Sequence, residues 1–365
     1  MGIKDLCQFL RKTAPDLVVE VPLSSLSGQR LAVDASVYLY KFICIDNQFK
    51  GQWVDMFINF IVWLRKNNIR PVFVFDGKPP PQKERTQKER RANRHRIEQK
   101  VLELEELLET LSECNINESI SADLKKRIDD AVNQDTQYWS RKEVMREINT
   151  RFKKENSKAI HIGPAENKKI QDLLTFIGLP WFKASGEAER TCAWLCKWGY
   201  VKGVVTTDSD VLAYGVPIFV QDVRVNQDTC KIIRHQDILE VLDLTEDQFR
   251  DFCIMCGTDY NERMPGIGPV SAYKLMCKHN DLDGMAMTTI DTSILHYDEG
   301  RVLFTLPPKD TPGSVIEGMD GCKFKIPAVK KIMRGELMML LMKCNSRFTI
   351  DEIEMYTYQP KYVVN

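Results

Sequence analysis

The sequence predicts an α/β fold with a mostly parallel central sheet flanked by helices. Three apolar β-type segments carry that prediction, RLAVD, PVFVF and GVVTT. Each runs into aspartate, and helical-period sequence separates each from the next, which is the alternation that builds a parallel sheet.

From residue 30, RLAVDAS reads as a strand ending at Asp34; helical patterns follow through residue 67, and PVFVFDG reads as a second strand ending at Asp76. The next stretch, 84–160, differs in kind. It is charge-dense, nearly free of Gly and Pro, and helical in period, with basic residues crowded into KERTQKERRANRHR and acidic ones into LELEELLE. Such a segment reads as an excursion from the core. After Pro164 a helix is expected through Ile177 and another from about Gly186 to Trp198. The strand leading to Asp208 and Asp210 comes next, then a hairpin around Asn226 to Thr229. Thr245 and Gln248 form a capping-box signature for a helix ending at Gly257, and TDYNERMPGIGPVSAYKL reads as a helical pair joined by a glycine turn. Beyond residue 280 the pattern weakens, although VKKIMRGELMMLLMK reads as a helix packing back on the core. The expected divisions are an N-terminal part of the core (1–83), the helical insertion (84–160), an internal part of the core (161–285) and a C-terminal extension packing on it (286–365).

The chain's 365 residues are 43% hydrophobic and 28% charged, enough for a full core in a folded protein. Its 51 basic and 51 acidic residues cancel, so any polyanion site must be a local patch. Eleven scattered cysteines without a leader peptide suit free thiols in a reducing, nuclear or cytoplasmic compartment. Cys253 with Cys256, and Cys192 with Cys196, lie in amphipathic helical patterns without nearby histidines, which favours small buried hydrophobes over zinc. The apolar runs MFINFIVWL and LMMLLM are too short to span a bilayer, so no membrane association is expected. Position 6 is Leu6, which argues against N-terminal myristoylation.

The chemistry collects at the carboxyl ends of the expected strands, where open α/β sheets bind ligands. Asp34, Asp76, Asp208 and Asp210 all fall there. Any one of them could simply cap a helix or open a turn. Together they are costly, since two carboxylates 5 Å apart repel by roughly 3 kcal/mol at an effective dielectric near 20. Glu187 and Glu189 sit at a helix start, which the helix dipole favours; Asp259 follows a helix end, which the dipole disfavours unless a cation is near. Oxygen-only ligands select Mg²⁺ or Mn²⁺, and a cluster this acidic exceeds what one ion needs. Two ions are the usual device for in-line attack on a phosphodiester.

In order and context, MGIKDL, VDAS, FVFDGKPP, GEAE, TTDSD and CGTDYNERMPGIGP resemble the flap endonuclease branch of the structure-specific 5′ nucleases. That branch includes the xeroderma pigmentosum group G protein, exonuclease 1 and the Holliday-junction resolvases. The resemblance covers about residues 1 to 280. It implies a PIN-like 5′ nuclease core with a helical arch at 84–160 and a helix-two-turn-helix DNA-binding element. Asp34, Asp76, Glu187, Glu189, Asp208, Asp210 and Asp259 match the family's metal-binding carboxylates, with Asp34, Asp76, Glu187 and Asp208 also counted as catalytic. Lys83 and Arg90 match its catalytic basic pair, and a spacing of seven places both on one helix face. Gly2, Tyr40, Arg94, Gly266, Ile267 and Gly268 are implied DNA contacts. Tyr40 would stack on a base, and the amides of 266–268 would hold phosphates around a K⁺ ion.

The implied reaction is Mg²⁺- or Mn²⁺-dependent hydrolysis in 5′-flap, nicked or gapped duplex DNA, leaving a 5′ phosphate and a 3′ hydroxyl, by a monomer serving replication, repair or recombination. A 5′-to-3′ exonuclease, a junction resolvase or a ribonuclease on the same fold is the alternative. A non-catalytic scaffold would have lost carboxylates, and none is replaced here. The segment between Asp76 and Glu187 is longer than in cellular relatives. The C-terminal DEIEMYTYQPKYVVN lacks both the sliding-clamp box and the lysine-rich tail, so neither clamp recruitment nor a self-encoded nuclear signal is expected. Such a short tail resembles family members of large DNA viruses.

Overall fold

Seven strands form one sheet: β1 (Val19–Pro22), β2 (Arg30–Asp34), β3 (Arg70–Phe75), β4 (Trp181–Lys183), β5 (Gly203–Val205), β6 (Ile218–Arg224) and β7 (Thr229–Arg234). Their spatial order is β1-β7-β6-β5-β2-β3-β4. The computed structural model in which they are seen describes residues 2–49, 52–113, 121–156, 158–159, 162–319 and 323–357. Strands β6, β5, β2, β3 and β4 run parallel, while β7 is antiparallel to both β6 and β1. The central strands are buried on both faces, with Leu31, Ala32, Val33, Val72, Phe73, Val204 and Val205 almost fully covered. That is why they read as continuous apolar runs rather than alternating ones.

In register, Val33 lies beside both Phe73 and Val205. The carboxyl ends of β2, β3 and β5 therefore open at nearly one level. From β2 the chain passes through helices Ala35–Phe49 and Trp53–Lys66 to β3 on one side, whereas β5 joins β2 on the other. The boundary between β2 and β5 is thus a topological switch point, where an open α/β sheet forms its binding crevice.

The hairpin expected near Asn226 is the β6–β7 pair, closed by a 3₁₀ turn at Val225–Gln227. Helix Glu246–Cys256 begins with the expected capping box: the Thr245 hydroxyl accepts from the Gln248 N–H, and the Gln248 side chain accepts from the Thr245 N–H. Its partner helix starts only at Pro269, so residues 257–268 form an irregular connection longer than a single turn. The cysteines among the described residues are free, and Cys192, Cys196, Cys253 and Cys256 are buried. No described helix is long and apolar enough to cross a membrane.

The C-terminal extension is held by hydrogen bonds that its sequence does not advertise. Helix Arg334–Lys343 is preceded by Lys330 and Met333, whose N–H groups donate to the carbonyls of Gly178 and Phe176 at 2.8 Å each. Buried Arg65 donates to Ile69 O and to Thr357 O, and buried Asp55 accepts from Ser346 and from the Arg347 N–H. Residues 315–317 cover the β4 edge: Ser185 N–H donates to Val315 O at 3.0 Å and Glu317 N–H to Lys183 O at 2.9 Å. A covered edge cannot template pairing with another chain. The tail at 358–365, where the clamp box was sought, lies outside the described residues.

Two compact units emerge, one of residues 1–40, 54–84 and 164–365, the other of 41–53 and 85–163. The first holds the sheet. Within the second, helices Ala122–Val132 and Arg141–Asn156 pack with the long helix Glu84–Glu113 around Leu104, Leu107, Leu111, Leu124, Ile128, Val132, Val144 and Ile148. Spacings of three and four put each set on one helix face. Only the acidic half of the long helix enters this core; the basic half, 85–100, is mostly exposed. Leu107→Ala should cost this bundle about 2–4 kcal/mol. Hydrogen exchange should then show lost amide protection in Ala122–Val132, with protection in β2 and β3 unchanged.

Candidate active site

Asp34 is the last residue of β2, and its carboxylate is satisfied locally before it does anything else. One oxygen accepts from the Val37 N–H at 3.1 Å and the other from the Thr206 hydroxyl at 3.0 Å. Thr206 follows β5, so this bond ties two strand ends together across the switch point. Its hydroxyl also accepts from the Asp208 N–H at 3.1 Å. Asp208 in turn accepts from the Asp210 N–H at 3.0 Å, which curls the chain so that both carboxylates stay at the strand end.

Asp76 follows β3 and is exposed; its N–H donates to the Ser36 hydroxyl, and its carboxylate accepts from the Ala188 N–H at 2.8 Å. It therefore caps the helix Ala188–Lys197, whose first turn carries Glu189 and whose N-cap residue is Glu187. Gly77 makes this closeness possible: a Cβ there would lie 1.8 Å from the Ala184 carbonyl oxygen, and its N–H donates to Gly186 O at 2.7 Å. Asp259 comes from the irregular connection after helix Glu246–Cys256. Buried Asn261 braces that connection by donating to Ile254 O and accepting from the Thr258 hydroxyl.

Lys83 closes the 3₁₀ turn Pro81–Lys83 and is buried. Its ammonium pairs with Glu187, lies 2.9 Å from Asp259 and 3.8 Å from Glu189. Burial alone would lower its pKa, but Glu189, Glu187 and Asp259 outweigh burial and hold it above the ordinary lysine value. Among the described residues, no three carboxylates, histidines or cysteines close on a common point as a metal cage. Lys83 stands between three of the acids instead.

One ammonium cannot balance seven carboxylates. Burial pushes Asp34, Glu189 and Asp210 well above the usual carboxylate range, and neighbouring charges add to it: Asp76 and Asp208 on Asp34, Glu187 and Asp208 on Glu189, Asp208 and Asp259 on Asp210. Burial likewise raises Asp208, and raises Glu187 against the pull of Lys83. Both Asp210 oxygens are buried without a hydrogen-bond partner. Unsatisfied acceptors in an all-oxygen donor set fit a hard divalent cation. Asp34, Asp76, Glu187, Glu189, Asp208, Asp210 and Asp259 are the residues that would hold such ions.

The chain's start is part of this site. Gly2 has φ +83°, and a Cβ on it would meet Asp208 Oδ1 at 2.1 Å and the N atoms of Ser209 and Asp210 at 2.8 Å. Lys4 N–H donates to Gly257 O at 2.9 Å, and Arg263 pairs with Asp5. Residues 2–5 thus join the Asp208 turn to the Asp259 connection. At the helix-two-turn-helix, Gly266 has φ +75° and Gly268 precedes Pro269, the first residue of helix Pro269–His279. The Ile267 N–H donates to Met264 O at 3.1 Å.

Tyr40 is 42% exposed. Arg90, exposed, and Arg94, half-buried, lie on the long helix in the second unit. Lys83 ends the 3₁₀ turn Pro81–Lys83, and the long helix that carries Arg90 begins at the next residue, Glu84. Two residues escaped the sequence reading. Thr206 looked like one more β-former, and Tyr260, beside Asp259, donates its hydroxyl to Glu187.

A parallel sheet with an acidic cluster at its switch point and a helix-two-turn-helix beyond it defines a structure-specific 5′ nuclease of the PIN-like class. Comparisons identify the branch. The XPG N-terminal domain matches residues 1–97 and the XPG I-region residues 178–259. A probable RAD2-like endonuclease of Invertebrate iridescent virus 3 is 31% identical over 338 residues, covering 83% of this chain and 85% of the relative. Flap endonuclease 1 of Babesia bovis is 30% identical over 348 residues, covering 92% of this chain and 45% of the relative. The chain belongs to the XPG family of RAD2-like and flap endonucleases. In fold it is similar to the catalytic core of Rad2 in complex with DNA substrate, at 21% identity, TM-score 0.62, and 98% and 100% coverage of the two chains. The flap endonuclease-1 of Methanococcus jannaschii aligns at 22% identity with TM-score 0.58, covering 94% of this chain and 95% of that one.

The raised pKa of Asp210 has a definite sign in chelated, metal-free protein. A carboxyl whose folded pKa lies above its unfolded value stabilises below the unfolded pKa and loses that contribution as pH rises. Asp210→Asn does not titrate there, so its Tm advantage over the native protein should widen between about pH 4 and pH 8 and shrink when Mg²⁺ is added. A gap of on the order of 3 °C corresponds to about 1 kcal/mol in a domain of this size. Gly2→Ala should displace Asp208 and lower nuclease turnover by about 10-fold or more, while circular dichroism stays unchanged.

Proposed function

We propose that this chain hydrolyses a phosphodiester at the junction of 5′-flap or nicked duplex DNA, with Mg²⁺ or Mn²⁺ held by the seven carboxylates, leaving a 5′ phosphate and a 3′ hydroxyl. The observation that carries this reading is the convergence of buried, mutually repelling carboxylates at the ends of β2 and β5 and at the start of helix Ala188–Lys197, with Lys83 among them. Divalent ions bound there supply charge neutralisation for in-line attack of water on phosphorus.

The rest is the chain's own work. Asp34, held by Val37 and Thr206, and Glu187, held by Lys83 and Tyr260, keep fixed orientations, so little reorganisation is needed when substrate arrives. Lys83 sets its ammonium against Glu187, Glu189 and Asp259, and on a bound scissile phosphate it would neutralise developing negative charge. The Gly266 and Gly268 amides, at the start of an 11-residue helix, suit phosphates of the uncut duplex, with K⁺ as a supporting ion. Tyr40 offers an exposed ring for a base near the cut. Arg90 and Arg94 lie in a basic helical stretch suited to the single-stranded flap.

The test is cleavage of an end-labelled 5′-flap duplex by purified protein in Mg²⁺. A cut at the flap junction is expected, absent with Asp208→Asn and slowed about 100-fold or more with Lys83→Ala. Absence of any cut on flap, nicked or single-stranded DNA with any divalent metal would overturn the reading; cuts confined to four-way junctions would reassign it to a resolvase.

A further inference from the structure

We propose that Tyr260 is a positioning residue for the metal site, orienting Glu187 through its hydroxyl and seating Lys83 over its ring. The inference rests on the metal-dependent reading of the acidic cluster and names a residue outside the seven carboxylates.

The geometry is specific to this side chain. Its hydroxyl donates to one oxygen of Glu187 while Lys83 pairs with the other. The Lys83 ammonium lies 5.9 Å from the Tyr260 ring centroid, within reach of the ring's negative face. Tyr260 therefore touches both partners of the Lys83–Glu187 ion pair.

Its own position is over-determined. The backbone N–H donates to the Thr258 hydroxyl at 3.1 Å. The ring packs edge-on against Phe304 at 5.7 Å, and Phe304 also packs on Tyr214 at 5.0 Å. Burial keeps the Tyr260 phenol protonated, so it remains a donor.

Because Tyr260 follows Asp259 directly, its bond to Glu187 links the connection after helix Glu246–Cys256 to the start of helix Ala188–Lys197. Two prospective ligands from distant parts of the chain, Glu187 and Asp259, are set relative to each other by this hydroxyl together with Lys83. Hydrogen-bond partners of this kind tune metal sites by about 10–100-fold when removed.

The experiment titrates Mn²⁺ into the intact protein without DNA, following free Mn²⁺ by electron paramagnetic resonance. Native protein is compared with Tyr260→Phe, which keeps the ring and loses the donor, and Tyr260→Leu, which loses both. Tyr260→Phe is expected to bind Mn²⁺ about tenfold more weakly, with its Tm in chelator unchanged. In flap cleavage the Mg²⁺ concentration for half-maximal rate should rise about tenfold, while kcat at saturating Mg²⁺ stays within about threefold. Tyr260→Leu should also lower kcat at saturating Mg²⁺, since Lys83 loses its seat. Native Mn²⁺ affinity in Tyr260→Phe would overturn the proposal, as would a lowered Tm with unchanged metal affinity, the mark of a purely structural tyrosine. Failure of the native protein to bind Mn²⁺ at all would instead overturn the metal-dependent reading on which the proposal rests.

Discussion

Repulsion among carboxylates is the constraint that organises this protein. Folding gathers Asp34, Glu187, Glu189, Asp208 and Asp210 into surroundings where none is more than slightly exposed, and Lys83 is the ammonium set among them. A buried charge without compensation is expensive, and a buried pair is stable only when its remaining oxygens and protons are satisfied. Glu187 meets that condition through Lys83 and Tyr260; Asp34 meets it through Val37 and Thr206. Asp210 does not, and its two orphaned oxygens mark where stability has been traded for the capacity to bind a cation.

Such an arrangement survives only because the backbone leaves it no escape. The acids do not hang from one loop that could swing outward. They stand on three strand ends, a helix start and a connection, and short bonds stitch these elements together: Thr206 to Asp34, Ala188 to Asp76, Gly77 to Gly186, Lys4 to Gly257. Gly2 lies against Asp208 so closely that no larger residue fits without movement. The parallel sheet supplies the rigidity, because strands covered on both faces cannot shift register without moving every apolar side chain.

The helical insertion solves a separate problem. A long helix whose first half is basic and exposed has little to bury, and helical stability in proteins comes chiefly from packing an apolar face. Here the second half provides Leu104, Leu107 and Leu111, and two short helices close over them. Charge and core are thus divided along one helix. The basic half stays in solvent while its acidic continuation is anchored by its own apolar face.

Much of this was legible in one chain. The strands ending at Asp34, at Asp76 and before Asp208, the capping box at Thr245, and the hairpin at Asn226 all come from local patterns, since side-chain period and capping chemistry act over a few residues. The seven carboxylates were legible too, because their motifs stand in order. The three-helix core of the insertion, the docking of the C-terminal helices through Arg65 and Asp55, and the roles of Thr206 and Tyr260 were not. Neither was the pairing of Lys83 with Glu187 and Asp259. Each depends on which distant residue completes a hydrogen bond or covers a face, and periodicity carries no record of that. Sequence by itself determined the elements and the chemical kind of the site, through short-range geometry and residue type; only the tertiary structure decided which acids are satisfied and which remain unpaired, because burial and long-range hydrogen bonding are properties of the packed chain.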